Sequence, residues 1–172
     1  MQKKRHHTLY YITIILFIIY LLFLVWIILF KVGFSLKELE ATRAYNLIPF
    51  HYEDGHNMGF HFSEVIDNVL IFIPVGVYLS LLFKKMSFWR RTALVFAISL
   101  ALECPQYILA VGRFDITDLI TNTLGGIVGI GLCLIGRAFF CDKEKAESVI
   151  SALINAITVL LLGGTFLILS LN

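Results

Sequence analysis

Glu103, Gln106, Arg113, Asp115, Asp118 and Asn122 fall between positions 103 and 122 of a chain that otherwise spends few polar side chains. Glu103 and Gln106 are three apart, and Asp118 and Asn122 four apart, so each pair shares a helix face. Such a set can do three kinds of chemistry. Two carboxylates can act as acid and base, Arg113 can grip a phosphate or carboxylate, and an excess of three carboxylates over one arginine calls for a cation, a basic ligand group or a proton. A second polar set, Asp67 and Asn68 with Asn46 upstream, is placed to complete the same site. Pro105 lies between Glu103 and Gln106 and removes a backbone donor there. Gly125 and Gly129 form a small-residue seam one turn below Asn122, the kind of stripe that lets a second helix approach closely; it offers a homo-oligomer contact.

The elements that must position these groups are membrane helices. Of the 172 residues 59% are hydrophobic and 15% charged, against about 25% charged in ordinary soluble domains. A helix needs about 20 apolar residues to cross the hydrocarbon, and five runs qualify: 9–30, 65–83, 92–111, 116–139 and 149–171. The predicted fold class is therefore all-α, a polytopic bundle of five transmembrane helices in one domain, 1–172. The first run is too long for the apolar core of a cleaved signal peptide and reads as an uncleaved anchor. Lys3, Lys4, Arg5, Lys84, Lys85, Arg90, Arg91, Arg137, Lys143 and Lys145 fall on one side, and Lys31, Lys37, Arg43 and Arg113 on the other. The positive-inside rule then makes the N-terminus cytoplasmic. Glu103, about 16 Å along its helix from Thr92 at 1.5 Å per residue, lies past the midplane toward the outer face, as do Asp115, Asp118 and Asn68. The short link at 112–115 makes the third and fourth spans an antiparallel hairpin, with Arg113 above Gln106 and Glu103. Pro74 interrupts the second span in mid-membrane.

Other chemistries find less support. His51, His56 and His61 are spaced by five, which does not align them on one helix face, so no metal is expected. Cys104, Cys133 and Cys141 give no disulfide framework. Ser63, Ser80 and Ser99 have no evident base, nothing suggests a cofactor, and the dispersed net charge of +2 argues against nucleic acid. A transport route would need a second polar path toward the cytoplasm, and the inner halves of the spans show none.

The series Asn46-Leu47-Ile48-Pro49-Phe50, Asp67-Asn68 with Phe72-Ile73-Pro74-Val75-Gly76, Glu103-x-x-Gln106, and Gly112-Arg113-Phe114-Asp115-Ile116-x-Asp118 with Asn122-Thr123-Leu124-Gly125-Gly126 resembles the VanZ-like family, in order from about 46 to 131. The resemblance implies a multi-pass protein of the bacterial cell membrane, linked with reduced susceptibility to glycopeptide antibiotics such as teicoplanin. It implies no catalytic residues and no cofactor. Two functions follow as expectations. In the favoured one, which is not enzymatic, the outward polar site engages a lipid headgroup, a cell-wall precursor or the antibiotic. In the alternative, a membrane-embedded enzyme acts on a lipid-linked substrate through Glu103, Asp118 and Arg113.

Overall fold

The computed structural model describes residues 2–30, 44–50, 58–108 and 113–171, and its architecture is five long helices with one short strand pair. The helices are α1 (Gln2–Phe30), α2 (Met58–Leu82), α3 (Phe88–Ile108), α4 (Ile116–Ala138) and α5 (Lys143–Leu171). Strands β1 (Ala44–Asn46) and β2 (Arg113–Asp115) pair in parallel, with Asn46 opposite Asp115. The link between α3 and α4 is thus more than a turn, because its last three residues are stitched to the segment that precedes α2.

Apolar runs mark where helices meet lipid, and the helices extend beyond them. α5 begins at Lys143, well before its apolar run, because Asp142 accepts from the amides of Glu144 and Lys145 at 2.9 and 3.2 Å and so caps the first turn. Four helices, α1, α2, α4 and α5, are long and apolar enough to cross a membrane, and α3 falls short of that standard. Its sequence explains the difference from the five expected spans: α3 carries Arg90, Arg91 and Glu103, and it lies against protein rather than relying on its own hydrophobicity. A Cβ on Gly126 of α4 would come within 2.3 Å of Val95, and Asn122 bonds Ser99 one turn further along α3. The two contacts run in opposite directions along the two chains, so α3 and α4 form the expected antiparallel hairpin.

α2 and α4 make the tightest seam. Here the Gly125–Gly129 stripe is corrected from its expected role as an oligomer contact, because α2 of the same chain already covers it. A Cβ on Gly125 would sit 2.2 Å from the Val69 carbonyl oxygen, and one on Gly129 2.1 Å from that of Ile73. Gly76 of α2 answers from the other side, 2.0 Å from the Gly126 carbonyl by the same measure. Backbone thus meets backbone along two parallel helices, which only glycine permits. Pro74 does not break α2, contrary to expectation; the helix runs through it. Buried Tyr20 of α1 donates to the nearby Ile71 carbonyl at 2.6 Å, which adds an outside bond to the turn where Pro74 lacks an amide donor. Phe17 and Tyr78 stack across α1 and α2 with ring centroids 5.2 Å apart.

Candidate functional site

One end of the seam is organised from the start of α4. Asp115 is extended at the helix N-cap and accepts from the Thr117 amide at 2.8 Å, while its other oxygen accepts from the Asn46 side-chain amide at 3.1 Å. Both carboxylate oxygens of Asp115 are therefore occupied with holding the strand pair and helix together. The Asn46 carbonyl oxygen takes the Ile48 amide at 3.1 Å, and the Thr117 hydroxyl takes that of Phe50, also at 3.1 Å. Asp115 and Asp118 at this N-terminus also complement the helix dipole.

One turn into α4, Asp118 accepts from the Asn68 side-chain amide of α2 at 2.6 Å. A turn further, Asn122 is 1% exposed and donates to the Ser99 hydroxyl of α3 at 3.0 Å; its carbonyl oxygen has no partner among the described residues. Glu103 lies four residues beyond Ser99 on the same face of α3 and is 2% exposed. Because α3 and α4 run antiparallel with Ser99 opposite Asn122, Glu103 comes to the level of Asp118. Two carboxylates and two amides from three helices thus converge in one seam. Asn46 and Asp115 form its roof. Asp67 does not join, since it is exposed while its neighbour Asn68 is buried. The side chains of Gln106 and Arg113 lie outside the described residues, as do those of His51, His56 and His61.

Sequence reasoning missed Thr117 and passed over Ser99. Both carry a readable signal: a threonine two residues after an N-cap aspartate, and a serine one helical turn before a buried glutamate. It also missed a second polar network toward the opposite end of the bundle. There the Thr13 hydroxyl meets that of Ser151 at 2.6 Å and accepts from the Asn155 amide at 3.1 Å. Tyr78 donates to the Asn155 oxygen at 3.3 Å and shares a 2.8 Å bond with Thr158. These five buried residues are a polar cluster that hydropathy did not anticipate in these halves of the spans. Each is isolated in a long apolar run, which is why hydropathy conceals them. Beside this network is a cavity of about 100 Å³, lined in part by Leu9, Thr13, Leu81, Lys84, Glu147 and Ser151. Lys84 pairs with Glu147, which Arg137 also approaches at 3.5 Å while donating to the Ser80 carbonyl at 2.9 Å. The basic loops therefore lie at the end opposite the Asp118 seam.

Among the described residues no three His, Cys, Asp or Glu side chains are grouped so as to hold a metal ion. The carboxylates are distributed along a seam, an arrangement suited to hydrogen-bond donors or a cationic group on a ligand.

Compared with known proteins, residues 17–137 match the VanZ/LLP1 family model, a longer stretch than the motif-bearing 46–131. The chain is 36% identical over 151 residues to Protein VanZ of Enterococcus faecium, an alignment that covers 87% of this chain and 90% of that one. No solved structure matches.

Proposed function

The chain belongs to the VanZ/LLP1 family, and from that premise we propose that it acts in the bacterial cytoplasmic membrane as a multi-pass protein that lowers susceptibility to glycopeptide antibiotics such as teicoplanin. The work is done by the polar seam on the outer side, which engages a lipid headgroup, a cell-wall precursor or the antibiotic itself. The observation that carries this reading is the pair of links Asn68–Asp118 and Asn122–Ser99 across three helices, with Glu103 buried one turn beyond Ser99. Interhelical hydrogen bonds in membranes are worth only about 0.6 kcal/mol on average, whereas carboxylates at membrane depth are costly and are found where a function needs them. The seam also lies opposite the Lys/Arg-rich loops, which supports an external position under the positive-inside rule.

The test is binding of fluorescent teicoplanin to cells that express wild type, Glu103→Gln or Asp118→Asn at matched membrane levels, with null cells as reference. Wild type is expected to change surface labelling relative to null cells, and both variants to restore the null value. Equal labelling of wild-type and null cells would remove the reading. Lipid and wall-precursor profiles of the same strains address the enzymatic alternative, for which a chemical difference that disappears in the variants is required.

A further inference from the structure

The turn that roofs the seam is apolar on its outside and polar on its inside. Leu47, Ile48 and Phe50 are 58%, 60% and 54% exposed, with Pro49 exposed between them, whereas Asn46 is 5% exposed. Phe50 holds a left-handed backbone, φ 56°, without being glycine. For a bulky residue this conformation is costly and survives only where the surroundings impose it. Hydrogen bonds impose it here. The Phe50 amide is held by Thr117, the Ile48 amide by Asn46, and Asn46 by Asp115. The turn is pinned to the first turn of α4 with its apolar side chains held outward.

Three observations identify what covers it. First, the Ile48 and Phe50 amides are satisfied by side chains of the protein instead of by water, which irregular backbone requires if it is to lie at membrane depth. Second, the turn is tied to Asp115 and Thr117, where α4, a helix long and apolar enough to cross a membrane, begins. Third, α2 presents Phe62, Ile66 and Leu70 at the same end of the bundle, 67%, 41% and 55% exposed, on a helix long and apolar enough to cross a membrane. The outward surface of the turn is thus as apolar as the exposed flank of α2 at the same end of the bundle.

We propose that the Leu47–Phe50 turn is a wedge inserted among the upper acyl chains of the leaflet on the seam's side, so that the roof of the polar site is anchored in lipid. Its partner is the membrane itself, and the proposal does not depend on which ligand the seam takes. To test it, Phe50→Trp and Ile48→Trp are made separately in a Trp26→Phe, Trp89→Phe background and reconstituted in phosphatidylcholine nanodiscs, where both faces meet water. Each reporter is expected to emit to the blue of tryptophan in buffer, to be quenched by bromine on the upper acyl chain, and to resist aqueous iodide. Iodide quenching without bromine quenching at either position would overturn the wedge and leave a water-facing surface suited to a protein partner. Because Ile48 lies outside the left-handed position, its reporter remains informative if tryptophan at Phe50 disturbs the turn.

Discussion

Polar groups are buried in both halves of this bundle, and the two sets are built to different rules. The inner set, Thr13, Tyr78, Ser151, Asn155 and Thr158, is neutral, and none of its buried polar atoms lacks a hydrogen bond. It joins α1, α2 and α5 through hydroxyls and one central amide. The outer set links α2 to α4 through the Asp118 carboxylate and α4 to α3 through the Asn122 amide, and the Asn122 carbonyl oxygen has no partner among the described residues. A closed neutral network is what clamping helices requires. Carboxylates exceed that requirement, and we read the difference as that between a clamp and a proposed site.

The sharpest way to break the outer set is through its packing. Gly125→Leu or Gly129→Leu drives a side chain into an α2 backbone carbonyl that has no room to retreat. Overpacking costs typically about 1–3 kcal/mol and occasionally more, and both variants are expected to lose the folded protein, read as collapse of the monodisperse peak on size-exclusion in detergent. Gly131→Leu has nothing within 4 Å of its Cβ position and is expected to fold normally. Equal behaviour of the three would mean that the α2–α4 seam is not held by glycine.

The inner set has its own weak point in Asn155, which bonds both Thr13 and Tyr78. Asn155→Ala is expected to lower stability by about 1–2 kcal/mol, at about 0.6 kcal/mol per interhelical bond with some lost packing, measured by denaturant titration in mixed micelles. Its effect per folded molecule on antibiotic response is expected to be nil, which is where it departs from Asp118→Asn. Asp115→Ala removes an N-cap and the Asn46 tie, an expected loss of about 1 kcal/mol by the same titration. Smallest of all is Glu147→Gln. Its partner Lys84 is about half exposed, and such ion pairs contribute about 0–1 kcal/mol, so a change near the limit of detection is expected.

The sequence exposed these two regions unequally. The four strongly apolar helices are readable because the cost of an unsatisfied backbone in lipid dominates every other term, and the outer carboxylates stand out against that background. α3 is readable only in part, since packing against α4 lets it keep Arg90, Arg91 and Glu103. The bond from Asn68 to Asp118 spans 50 residues of chain, and nothing local names either partner. β1 and β2 are three residues each and carry no periodic signal. The inner network was invisible for the opposite reason to the outer: one threonine or asparagine in a long apolar run scarcely alters its hydropathy, yet the fold gathers five such residues into one cluster.

The central claim is that the Asp118 seam is a site and the Asn155 network a clamp. Teicoplanin susceptibility at matched membrane levels of protein tests it most directly, with Asp118→Asn and Tyr78→Phe compared against wild type and the null strain. The account predicts that Asp118→Asn is as susceptible as the null strain while Tyr78→Phe protects like wild type. Wild-type protection by Asp118→Asn would contradict it.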